Sequence, residues 1–166
     1  MLSILLALAV VYDLRERRIP NFLIVGGIAL ALAVSAYHGG WSGLGSSLAA
    51  MLLGMAAFIP FFAVRMVGAG DVKLFGVVAG FVGFGALLPV WLYTVLAGGV
   101  LGLLSVILSH SFPQFLSNLK LLLIALTYRV PGSEMSLSAI ATRTSARIPY
   151  ALAIAAGTLF WMLRQS

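Results

Sequence analysis

The chain has 166 residues, the length of one ordinary soluble domain, but its composition excludes one. Apolar residues make up 62% and charged residues 8%, against a globular norm of about 25% charged, and the mean hydropathy is +1.13. A helical span takes about 20 residues, so six spans use roughly 120 and leave only connections.

The expectation is therefore all-α: one polytopic, membrane-embedded domain over residues 1–166 with six transmembrane helices. The net charge of +6 does not point to nucleic acid, because the basic residues are scattered between apolar runs without a stripe of interleaved aromatics. The partner in contact along the chain is the lipid bilayer. The absence of cysteine excludes disulfides, thiolate metal sites and cysteine nucleophiles.

The first helix is read as residues 1–18. Its purely apolar part stops at Tyr12, only about 18 Å at the helical rise, whereas running on to Arg18 gives about 27 Å. Arg15, Arg17 and Arg18 then snorkel to the interface. Asp13 falls about 7–8 Å inside the arginine level. A cleavable signal peptide fits less well: Ala7-Leu8-Ala9 offers a small-x-small site, but the positive charges follow the apolar stretch instead of preceding it.

A second span is expected at 19–37, with Pro20 tolerated in its first turn. A turn at 38–42 leads to a third span at 44–64. Residues 65–70 break the helix, and spans follow at 71–84 and 87–109 around a tight Gly83-Phe84-Gly85 connection. The long connection 110–148 holds a candidate interfacial helix at 114–126, with leucines on one face, and a polar segment at 133–147 rich in serine and threonine. A last span at 149–163 closes the chain. Gly76-xxx-Gly80 and Gly98-xxx-Gly102 are read as sites where helix backbones approach closely.

Two independent signals orient this layout. With six spans, nine of the ten basic residues fall on connections of one side; Arg164 is the exception. That side should be cytoplasmic. Trp41, Trp91 and Trp161 all fall near the opposite face, as an aromatic belt does. The N-terminus is then outside.

The acids are few: Asp13, Glu16, Asp71 and Glu134. The topology brings Asp13 and Asp71 to the same depth on the same face, at the ends of different helices. Each alone has a plainer account. Asp13 can pair with Arg17 four residues on, and Asp71 can cap the fourth helix after a glycine turn. Together they make a dyad: two carboxylates in a partly dry site share a proton. One can then deprotonate water while the other protonates a carbonyl oxygen. The glycines in Gly68-Ala69-Gly70 suit close approach of a substrate backbone. Glu16 and Glu134 are read as solvated loop residues, and His38 and His110 fall on opposite faces, so no metal site is expected.

Gly68-Ala69-Gly70-Asp71-Val72-Lys73-Leu74 resembles the GxGD-type motif of the prepilin peptidases, intramembrane aspartic proteases. The segment from Asp13 to Ile19-Pro20-Asn21 is similar to that family's first motif, and Arg147-Ile148-Pro149-Tyr150 to its C-terminal Ile-Pro-Tyr segment. The resemblance implies Asp13 and Asp71 as the catalytic pair, Gly68 and Gly70 shaping the active-site turn, and Ile19, Pro20 and Asn21 fixing the first loop. Lys73 belongs to the motif and is read as a marker of the cytoplasmic side, not as catalytic.

By the same resemblance the chain is an inner-membrane enzyme; with no cysteine, no histidine cluster and only four acids, it is expected to need no metal or other cofactor. It removes the short basic leader from type IV prepilins or pseudopilins at the cytoplasmic face. Lacking the cysteine-bearing cytoplasmic domain of bifunctional members, it resembles the short peptidase-only branch of tight-adherence (Flp) pili, with no N-methyltransferase domain. The competing reading is a small proton- or ion-coupled transporter with an aspartate relay. Against it, the acids lie near one face and the chain has no pseudo-symmetric halves.

The topology is testable in this cysteine-free chain. Arg17→Cys, Val67→Cys and Ser138→Cys should resist an impermeant thiol reagent applied to the outer face of intact cells, while a cysteine in the 38–43 turn should react. Labelling of the first three from outside would overturn the shared face.

Overall fold

A computed structural model describes residues 1–63, 66–108 and 150–165. Arg65, His110, the 114–126 and 133–147 segments, Glu134 and Ile148-Pro149 lie outside the described residues. Residues 1–98 and 149–166 make one compact unit, and all the packing below lies within it.

The described chain is all-α, with four helices: α1 (Leu2–Glu16), α2 (Asn21–Ala63), α3 (Ala69–Leu108) and α4 (Tyr150–Gln165). α1 stops two residues short of the expected end. Arg17 adopts the left-handed conformation (φ 52°, ψ 30°), and its N–H closes onto the Asp13 carbonyl at 2.9 Å. This is a helix-ending geometry usually given to glycine or asparagine. Asp13 is thus in the last turn, not deeper in a longer helix.

α2 and α3 are each two helices joined at one glycine. Gly40 (φ 56°, ψ −140°) and Gly83 (φ 72°, ψ −179°) interrupt them, and a positive φ costs glycine nothing. The expected turn at 38–42 shrinks to a single residue, and the following Gly43 lies so close to the Ser35 carbonyl that a side chain would not fit. Ser42 and Ser46 return their hydroxyls to the carbonyls of Gly39 and Gly43 at 2.8 and 2.9 Å, and protonated Nδ1 of His38 would donate to Val34 O at 2.8 Å. Gly27 and Gly54, at nearly equal chain distance on either side of Gly40, both meet the 75–79 stretch of α3. The chain therefore reverses at Gly40.

The same reasoning applies at Gly83. Residues 69–82 pack on the second half of α2, whereas residues beyond Gly83 pack on α4 through Gly98 against Tyr150 and Gly157 against Thr94. α4 also lies along α1.

The stretch 74–79 is the centre of the unit: Leu74, Phe75, Val77, Val78 and Ala79 are fully buried. Around it the outer faces are apolar. Phe22, Ile59, Leu88 and Leu96 are each more than half exposed, an arrangement that water would penalise and hydrocarbon does not. α2 and most of α3 are long and apolar enough to cross a membrane.

In a bilayer, lipid tails are as apolar as leucine, so close packing and internal hydrogen bonds hold helices together. Both occur here. A Cβ on Gly76 would lie 2.6 Å from Met55 Cγ, and one on Gly80 2.7 Å from Met51 Cγ. The small-xxx-small pair is thus a groove filled by two methionines. Buried Ser47 donates to the Gly80 carbonyl at 3.0 Å, tying the same two segments by a polar bond.

Overpacking this groove should be expensive. Gly80→Leu should destabilise the protein by about 1–3 kcal/mol, read as a lower thermal-unfolding midpoint in detergent. Gly26→Ala, at a position with nothing within 4 Å, should leave the midpoint unchanged or raise it.

Candidate active site

Three helix ends converge on Asp13 and Asp71: the C-terminus of α1 and the N-termini of α3 and α4. Asp13 is half-buried in the last turn of α1, and its Oδ2 accepts a hydrogen bond from the Ala151 N–H of α4 at 3.2 Å. The pairing with Arg17 does not form; the described residues contain no salt bridge to Asp13. Arg17, in its left-handed conformation, is exposed.

Asp71 is not the cap expected from the glycine turn. Gly68 occupies the cap position, its carbonyl accepting from the Asp71 and Val72 N–H groups at 3.1 and 3.2 Å. The Asp71 side chain reaches back, and Oδ2 accepts from the Gly68 N–H at 2.9 Å. This is the acidic half of a capping box, with the acid in the third helical position. A carboxylate there also faces the positive end of the helix dipole.

The two carboxylates are near enough for their charges to act on one another. One oxygen of each is held by a backbone N–H from a different helix start.

The glycines make room within the chain itself. A Cβ on Gly68 would sit 3.2 Å from Asp71 Oδ2, in the space the carboxylate uses. Ile19 lies over Gly70, its Cβ 3.4 Å from where a Cβ of Gly70 would be. Ile19 thus joins the first motif to the second. Pro20 accepts at its carbonyl from Leu23 N–H at 3.1 Å, starting α2, and Asn21 is that helix's first residue, exposed. Tyr12, beside Asp13, meets Phe22 edge-on at 5.9 Å, which braces the same connection. Lys73 is exposed in the first turn of α3, two residues from Asp71 and so not on its face.

Among the described residues no three histidines, cysteines or acids come together to hold a metal. His38 is far along α2 at the Gly40 reversal. The contribution that sequence reasoning missed is Ala151. It acts through its backbone N–H, so no side chain advertises it.

Comparison with curated proteins and with solved structures gives no match. The model of the type IV leader peptidase family matches residues 1–103. That stretch holds both aspartates and both of their motifs and ends within α3, short of α4. The match covers well over half of the 166 residues, and on it the chain belongs to the type IV leader peptidase family.

Proposed function

We propose that this leader peptidase is an aspartic endopeptidase with Asp13 and Asp71 as its catalytic pair. The observation that carries the reading is their meeting: two acids from separate motifs on separate helices act on each other's charge, and each is fixed by one backbone N–H. Orientation by backbone groups needs no side-chain rearrangement and leaves the rest of each carboxylate for chemistry.

In the reaction one carboxylate takes a proton from water as the water oxygen bonds to the scissile carbonyl carbon. The other, protonated, gives its proton to the carbonyl oxygen. Collapse of the tetrahedral species breaks the C–N bond, and the leaving amine takes a proton back. Gly68 and Gly70 shape the turn that presents Asp71, and Ile19-Pro20-Asn21 sets the path from Asp13 into α2.

The reversals at Gly40 and Gly83 support six membrane crossings: α1, the two halves of α2, the two halves of α3, and α4. The charge distribution supports an outside N-terminus, with the dyad at the cytoplasmic face of the inner membrane. A dyad there reaches a bond just outside a precursor's own transmembrane helix. The substrate we assign is a type IV, Flp-like prepilin or pseudopilin whose basic leader is removed.

Cleavage of a prepilin in membranes containing each variant tests the pair. Asp13→Asn and Asp71→Asn should accumulate normally and lose nearly all activity. The double variant should be hardly worse, because groups acting as one unit are non-additive. Glu16→Gln should keep most activity. The wild-type rate should follow a bell-shaped pH profile whose two limbs belong to the pair. A folded Asp71→Asn protein that cleaves at near wild-type rate would refute the assignment.

A further inference from the structure

In the six-span layout nine of the ten basic residues fall on the dyad's side, and Arg164 is the one that does not. It stands in the last turn of α4, about 20 Å along that helix from Ala151, which holds Asp13. With the dyad at one membrane face, that distance and the reach of the side chain bring the guanidinium to the opposite headgroup layer. A cavity of about 270 Å³ opens beside it, lined by Pro89 and Tyr93 of α3 and by Trp161, Arg164 and Gln165 of α4. Arg164 Nη1 donates to the Tyr93 hydroxyl oxygen at 2.6 Å, and the Tyr93 ring meets Phe160 edge-on at 5.0 Å. The guanidinium is thereby anchored across to α3 instead of trailing in solvent.

A cation in the last turn suits the helix dipole, but that accounts only for a charge. It does not account for a cavity whose polar lining is rich in donors. Tyr93 takes one of the several N–H donors of the guanidinium, and among the described residues no acid pairs with Arg164. Tyr93 keeps its own O–H to give, Trp161 carries an indole N–H and Gln165 an amide. No carboxylate lines the space. The complementary ligand is an anion with several acceptor oxygens, and the planar fork of arginine matches phosphate. At headgroup depth, where tryptophan and tyrosine are enriched, the phosphate at hand is that of a lipid. Pro89 and the two rings give its glycerol an apolar wall.

We propose that this cavity binds the phosphate of an anionic lipid headgroup in the leaflet opposite the dyad, with Arg164 as its principal donor. The lipid holds α4 by its far end and so braces the helix whose first turn orients Asp13. The leaflet rests on the topology proposed above; the binding itself does not depend on the catalytic pair.

The test titrates purified protein in detergent with phosphatidylglycerol, phosphatidylcholine or inorganic phosphate. Bound lipid is counted by native mass spectrometry and the unfolding midpoint is followed. Wild type should retain one more phosphatidylglycerol than Arg164→Ala and gain stability as the lipid is added, as a ligand of the folded state confers. Phosphatidylcholine and inorganic phosphate should do much less. Arg164→Ala should weaken phosphatidylglycerol binding about 10- to 100-fold, the loss of hydrogen bonds to a charged group. Arg164→Lys keeps the charge at the helix end but not the fork, and should weaken binding too. Arg15→Gln, on the dyad's side, should not.

Equal phosphatidylglycerol affinity in wild type and Arg164→Ala overturns the proposal. If that variant fails to accumulate, wild-type affinity in Arg164→Lys overturns it equally. An Arg164-dependent shift reproduced by inorganic phosphate alone, or equally by phosphatidylcholine, overturns the anionic lipid as occupant. Asp71→Asn should bind phosphatidylglycerol as wild type does, so failure of the dyad reading and failure of this one are read separately. Thiol labelling that reverses the topology overturns the leaflet alone.

Discussion

Every helix begins with N–H groups that have no partner inside it, and in a hydrocarbon layer such groups are costly to leave bare. Two helix starts, those of α3 and α4, direct N–H groups at one small region, and the carboxylates of Asp71 and Asp13 accept them. The exchange works in both directions. The acids satisfy the helix ends, and the helix ends orient acids that would otherwise be expensive to keep at this depth. Under the proposed function, the chemistry would use the same groups that close the fold.

That convergence depends on absent side chains. Gly68 leaves room for the Asp71 carboxylate and Gly70 for Ile19, while Gly98 leaves room for the Tyr150 hydroxyl. Away from the site the same device sets the scaffold: Gly76 and Gly80 receive Met55 and Met51, and Gly157 receives the Thr94 backbone. A glycine-rich sequence serves less to loosen this protein than to bring its helices close. Flexible methionine fills the irregular remainder.

Much of this was legible beforehand. Apolar run lengths reported the helices, and two acids bracketed by Ile-Pro-Asn and Gly-x-Gly reported the candidate pair. The errors lie where geometry is decided by one backbone torsion or by a neighbour distant in sequence. Arg17 takes a conformation its residue type rarely adopts, so α1 ended earlier than its charge pattern implied. Asp71 looked like a cap because acids favour caps, yet Gly68 took that position and the acid moved into the first turn. The Ala151 N–H carries no residue-type signature, and its pairing with Asp13 spans nearly the whole chain. Tyr150 was visible as part of a motif, but its burial against Phe58 and Gly98 belongs to three dimensions.

The single-residue joints at Gly40 and Gly83 leave the chain no slack. An α-helix turns about 100° per residue, so one amino acid inserted at Gly40 would rotate the whole following segment by that angle. Met51, Met55 and Gly54 would swing away from α3, and lipid-facing side chains would swing in. Longer loops absorb insertions and deletions; these two joints transmit them along an entire helix.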